Sequence, residues 1–181
     1  MPTKAHTLFA ERRDPRPDTA RPTQAAPQVI HPGDVLCVDA GVRLQTLLGS
    51  CVSICMTDVA HTVGAMCHYV HSTPPRHDLR HDAHYAEVAL SRMFAELRCR
   101  GIDPLTCDAY VCGGGAMRLH GMGEPSSVGA RNVQWARQFL AAHRIATHVL
   151  STGGGACYRK VNWLVGRGAP VVSVLPIEGR P

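Results

Sequence analysis

Nowhere in the 181 residues does an apolar run approach the roughly 20 needed to cross a bilayer as a helix. The opening stretch MPTKAHTLFAERRDPRPDTA lacks the continuous apolar segment of a secretory leader. A cytoplasmic address without membrane insertion is the expectation. Eight cysteines, at 37, 51, 55, 67, 99, 107, 112 and 157, include no CxxC pair, which argues against a zinc-ribbon site. Without export they are expected to stay reduced, mostly as small buried hydrophobes. Aromatic residues make up only 5% of the chain and no basic run accompanies the net charge of +5, so nucleic-acid stacking is not indicated. The charge permits acidic partners but does not identify one. The glycine clusters GGGAM (113–117) and GGGA (153–156) have neither the Walker lysine nor GxGxxG spacing, and no cofactor is called for.

What is present fits one domain. The length allows a single sizeable core, and 45% apolar with 18% charged residues is a globular composition. Residues 1–32 hold six of the thirteen prolines and little apolar periodicity. A disordered tail over 1–28 and a folded domain over 29–181 are therefore expected. Extended segments follow at 35–40, 42–48, 51–57 and 63–70, and the polar, proline-broken loop 71–84 suits a rim or lid. Over 83–100, Ala86, Leu90, Met93, Phe94 and Leu97 share one helical face, with Asp82 as the expected N-cap and Gly101 as the stop. A strand at 107–112, a helix at about 129–143 with Val133, Ala136 and Leu140 inward, a strand at 146–151 and a hairpin joining KVNWLV to PVVSVL complete a layered α+β pattern.

The stretch LLGSCVSICM (47–56) stands out because Gly49-Ser50 delivers Cys51 to the start of a buried strand. A hairpin closed with Thr57 opposite Thr62 puts Cys51 directly across from His68, at a separation suiting a thiol–imidazole pair. Such a neighbour lowers a thiol's pKa, so Cys51 alone among the cysteines is expected to alkylate quickly. The competing reading is core filler, the usual fate of a buried cysteine. Cys55 and Cys67 are equally strand-borne but lack the Gly-Ser approach.

The blocks LLGSCVSICMTD, VGAMCHYVH, DAYVCGGGAM, VGARNVQWARQFL and STGGGACYRKVNWLVGRG, in this order over about residues 30–175, resemble the CheD family, the chemoreceptor glutamine deamidases of bacterial chemotaxis. The resemblance implies a sandwich of mixed sheets flanked by helices. It implies a nucleophilic Cys51 paired with His68, hydrolysing receptor glutamine side chains to glutamate through a thioester, with N–H groups around Gly49, Ser50 and Cys51 receiving the oxyanion. Methyl-accepting receptors are the implied substrates and a CheC-type phosphatase a further partner. The alternative is an inactive copy that only binds such proteins.

Three positions depart from the family pattern. Its threonine six residues before the cysteine is Gln45 here, with Thr46 next to it; its aspartate before the late glycines is Ser151; and its proline-terminated segment reads YVHS. Strand alternation sends Gln45 and Thr46 to opposite faces. Gln45 stands at the family position, so its amide is expected to face the pocket, with Thr46 as the substitute if a bulge shifts the register. Histidines 71, 77, 81 and 84 read as a solvated loop rather than a metal site. A third reading, a small metal-binding protein built on residues 67–84, competes with that. Arg131-Asn132 and Arg159 read as helix-start and turn contacts, outside the catalytic set. The glycine clusters read as tight turns packing backbone near Cys51.

Overall fold

The computed structural model describes residues 25–73, 82–117 and 128–177. Nine strands among the described residues form two mixed sheets. β1 (Gln28–Val29), β3 (Arg43–Leu48), β8 (Cys157–Leu164) and β9 (Val171–Pro176) make a four-stranded sheet in the order β1-β3-β8-β9. β2 (Val35–Asp39), β5 (Val63–Tyr69), β4 (Val52–Thr57), β6 (Asp108–Gly113) and β7 (Ala146–Thr152) make a five-stranded sheet in the order β2-β5-β4-β6-β7. Among the described strands, β1–β3 and β6–β7 pair in parallel and the rest antiparallel. The helices α1 (Ala86–Cys99) and α2 (Val128–Ala142) both cover the outer face of the five-stranded sheet. The layers run helices, sheet, sheet, which is an α+β sandwich flanked by helices on one side. Pairing begins at Gln28, one residue ahead of the expected domain start. Residues 1–24, which carry most of the expected tail, lie outside the described residues.

β4 and β5 are buried along their whole length because they lie between two apolar layers. Val52, Ile54, Met56, Val63, Ala65, Cys67 and Tyr69 face the helices. Cys55 and Met66 face the other sheet, packing with Leu44, Leu48, Val161 and Trp163. A Cβ on Gly64 would lie 2.5 Å from Trp163, so that position is small to let the indole cross the sheet interface. The expected face of α1 is the buried one. Each of Leu90, Met93, Phe94 and Leu97 there contributes about 2 kcal/mol by leaving water.

Two local expectations need correction. Asp82 does not cap α1; it accepts from the His84 backbone N–H and lies 2.6 Å from the His84 ring. The helix starts at Tyr85 with no side-chain cap, and its first N–H, from Ala86, donates to the His71 carbonyl at 2.9 Å. The β4–β5 hairpin closes with Thr57 opposite Gly64, not Thr62. Asp58 causes this, because its Oδ1 accepts the N–H groups of Thr62 and Val63 and its Oδ2 the Thr62 hydroxyl, holding Thr62 inside the loop.

Candidate active site

The two-residue shift puts Ser53 opposite His68, and Cys51 diagonal to the histidine instead of across from it. An even shift preserves side-chain parity, so Cys51, Ser53 and His68 still share the face that meets the four-stranded sheet.

His68, 2% exposed, is held from that second sheet. In β3 the buried side chains are Leu44, Thr46 and Leu48, which turns Arg43, Gln45 and Leu47 to the outside. Thr46, 1% exposed, lies with its Oγ1 2.9 Å from His68 Nδ1 and donates its single hydrogen to the Ile30 carbonyl at 2.6 Å. Toward the imidazole it can then only accept. The Ile30 carbonyl, 3.4 Å from Nδ1, is likewise only an acceptor. The proton of the neutral ring therefore sits on Nδ1, and Nε2 keeps its lone pair. Nε2 is buried with no hydrogen-bond partner among the described residues, Cys51 included. Burial lowers the His68 pKa below the ordinary histidine value, keeping the ring neutral. The expected inward Gln45 is thus corrected: it pairs with Asn162 on the far face of β3, and Thr46 reaches the histidine with no bulge in the β3–β8 register.

Cys51 is partly buried just before β4. All three carbonyls of its turn are tied from behind: Gly49 O accepts from Gly115 N–H at 2.8 Å, Cys51 O from Gly114 N–H at 2.8 Å, and Ser50 O from Asn132 Nδ2 at 3.2 Å. No described peptide bond is cis, so pinning the Gly49 and Ser50 carbonyls throws the N–H groups of Ser50 and Cys51 to the opposite side. The Cys51 N–H faces its own thiol. Burial pushes that thiol up, and this N–H offsets part of the effect. The resting pair is neutral thiol and neutral imidazole. The expected low thiol pKa is corrected accordingly, and rapid alkylation at Cys51 alone does not follow, since Cys99 is the exposed cysteine.

The glycine clusters lie where tight packing beside Cys51 requires them. At Gly113, with φ of 110°, a Cβ would lie 2.3 Å from the Cys51 carbonyl oxygen. The second cluster joins the first through Gly153 N–H to Gly113 O and Ala116 N–H to Gly154 O. Arg159, a turn contact as expected, donates from Nε to Ser151 Oγ at 3.0 Å and also to the Gly153 carbonyl. The sequence reading misses the Ile30 carbonyl and takes Asn132 only as a helix-start contact, whereas its amide lies on the buried face inside α2. The first is backbone and left no trace. The second did leave one, an asparagine in line with Ala136 and Leu140 on the buried stripe of α2. No group of three or more His, Cys, Asp or Glu side chains gathers as a metal site among the described residues, which exclude His77 and His81.

Over residues 71–173, more than half of the chain, the sequence matches the family model described as CheD chemotactic sensory transduction. The chain belongs to the CheD family. A CheD relative from Dechloromonas aromatica, called probable chemoreceptor glutamine deamidase CheD 3, is 32% identical over 139 residues, covering 75% of this chain and 81% of its own. The Chromobacterium violaceum protein called probable chemoreceptor glutamine deamidase CheD 1 is 33% identical over 174 residues, covering 93% of this chain and 89% of its own. That second alignment spans the Cys51 and His68 segments, which precede the family-model match. Among solved structures, Neisseria meningitidis protein NMB0706 is similar with a TM-score of 0.41 and 14% identity, over 74% of this chain and 65% of that one. That likeness is too distant to bear on function. No helix among the described residues is long and apolar enough to cross a membrane.

Proposed function

We propose that this CheD-family chain is a cysteine-dependent deamidase that converts glutamine side chains in the cytoplasmic part of chemoreceptors to glutamate. His68 Nε2 takes the Cys51 thiol proton as Sγ attacks the carboxamide carbon. The carbonyl oxygen gains negative charge and is received by the N–H groups of Ser50 and Cys51. The C–N bond then breaks, with the imidazolium giving its proton to the leaving nitrogen, and ammonia departs from a thioester. Water attacks the thioester carbon and loses a proton to Nε2; the C–S bond breaks, and the imidazolium returns the proton to sulfur. Thr46 keeps the ring oriented through both halves by accepting from Nδ1–H, the role an orienting third group plays in nucleophile–base sites.

One observation carries this reading: both groups near Nδ1 are acceptors, which leaves the buried Nε2 bare on the face it shares with Cys51. The names of the relatives supply the substrate class. Nε2 and Sγ make no hydrogen bond in the structure, and such catalytic contacts often tighten only in the reacting complex.

The test is incubation with a receptor cytoplasmic fragment, reading the mass gain of about 1 Da that replaces an amide by an acid. Cys51→Ala is expected to abolish the gain, a fall of at least about 10⁴-fold. Its unfolding transition should stay close to wild type, since one partly buried thiol is removed. A Cys51→Ala protein that still deamidates the fragment sinks the nucleophile assignment. A wild-type chain that binds the fragment without any mass gain would favour the binding-only alternative, a copy that docks receptors or a CheC-type phosphatase.

A further inference from the structure

The buried stripe of α2 runs Gly129, Asn132, Ala136 and Leu140, and Asn132, 1% exposed, is its one side chain with an amide. Its Nδ2 meets two backbone oxygens, Ser50 O at 3.2 Å and Val70 O at 2.7 Å. Carbonyl oxygens only accept, so the group facing them is the NH2. Oδ1 is buried and has no partner among the described residues. A half-satisfied buried amide is unfavourable in a helix-sheet core, so what Asn132 contributes lies in its two donor hydrogens. They join Ser50, two residues ahead of β4, to Val70, the residue just after β5, linking the segments that carry Cys51 and His68. The Asn132 backbone is itself held, since Tyr69 Oη donates to its carbonyl at 2.7 Å.

Ser50 O and Cys51 N–H belong to one planar trans peptide and point in opposite directions. Whatever fixes the carbonyl fixes the N–H. Gly49 O and Cys51 O are held by backbone donors, Gly115 and Gly114, whereas Ser50 O is the one of the three held by a side chain. We infer that Asn132 is a positioning residue for the oxyanion site: by gripping Ser50 O from the helix side, it aims the Cys51 N–H at the oxygen of the bound carboxamide. Asn132 touches neither substrate nor thiol in this role, which rests on the deamidase reading above.

The experiment compares Asn132→Ala and Asn132→Asp with wild type on the receptor fragment, alongside labelling by iodoacetamide. Alkylation displaces iodide and creates no oxyanion, so it reports the thiol without the site that Asn132 aims. For Asn132→Ala, kcat should fall about 10²-fold, the loss expected when an oxyanion donor is misdirected. KM and the Cys51 alkylation rate should stay within about threefold of wild type. Cys55, Cys67 and Cys112, all buried, should remain unlabelled, showing an intact core. Asn132→Asp keeps the shape but sets a carboxylate against two carbonyl oxygens. It becomes a donor again when protonated, so its turnover relative to wild type should rise as the pH is lowered. Should Asn132→Ala expose the buried cysteines, this ratio decides: a rise supports the inference, and a flat ratio overturns it. With an intact core, a kcat for Asn132→Ala within about threefold of wild type also overturns it. If Cys51→Ala is inactive while Asn132→Ala is fully active, only the role of Asn132 falls. An active Cys51→Ala brings down the cysteine-nucleophile assignment on which this inference rests.

Discussion

The histidine and the cysteine of this site are held by opposite means. His68 sits in the middle layer on a strand buried on both faces, and its ring is fixed from the second sheet by Thr46, itself flanked by Leu44 and Leu48 in the apolar interface. Cys51 sits in an irregular turn at the edge of the inter-sheet cluster, only partly buried, and its backbone is held by three hydrogen bonds to carbonyl oxygens. A base placed by core packing is rigid and resists movement, but damage to its surroundings costs stability as well as activity. A nucleophile placed by backbone hooks can be approached closely by substrate, because its N–H groups face away from the hooks. The arrangement divides the task, with packing setting where the proton goes and hydrogen bonds setting where the oxygen goes.

The largest expected effect that tests this division is the split between Thr46→Val and Gln45→Ala. Valine matches threonine in shape but cannot accept from Nδ1–H, so the ring loses its orienting partner and the Ile30 carbonyl loses its donor from Oγ1. Turnover on the receptor fragment should fall about 10²-fold or more, as orienting groups in such sites do when removed. Gln45 lies on the opposite face of β3, and its replacement should leave turnover within about twofold of wild type, as for a surface change. Equal losses in the two variants would show that β3 does not present its faces as described.

A smaller effect is expected at Gly113→Ala, on the turn side of the comparison. The new Cβ would meet the Cys51 carbonyl at 2.3 Å in a backbone conformation that side chains rarely adopt. The expected cost is about 1–3 kcal/mol of stability, the range for strained backbone, read from denaturant midpoints. Turnover should fall with it, because the displaced carbonyl is one of the three hooks. A variant equal to wild type in both readings would mean the turn is set by something other than the glycine loop.

Much of this was legible in the sequence because it is local. The apolar face of α1, the glycine stop after it and the strand positions follow from periodicity and turn residues. The pairing of Cys51 with His68 on one face survived a wrong register because the error was two residues, and parity depends only on odd shifts. The hairpin length was misread through Asp58, whose carboxylate binds Thr62 and Val63 and so lengthens the loop. The choice between Gln45 and Thr46 was misread for a different reason. Counting back from the cysteine favoured Gln45, while Leu44 and Leu48, sharing parity with Thr46, already marked the inward face. The Ile30 carbonyl was beyond reach, since a backbone oxygen brought to a ring 38 residues further along the chain leaves no side-chain pattern. Asn132 showed as a polar residue in an apolar stripe, a signal that a buried hydrogen-bond task is being performed.

Protonation of His68 also links the site to stability. Its folded pKa lies below the unfolded value, so the folded state binds fewer protons between the two. This contribution to stability is complete above the ordinary histidine value and is lost as the pH falls from there through the lowered folded value. The most direct test of the account is nitrogen NMR of the His68 ring in the folded protein, following its tautomer and titration. The account predicts a neutral ring at pH 7 with the proton on Nδ1 and a bare Nε2, titrating below the ordinary histidine range. It also predicts that Thr46→Val weakens the preference for Nδ1. A ring that is charged at pH 7, or that carries its proton on Nε2, would contradict it, because Nε2 could not then take the proton from Cys51.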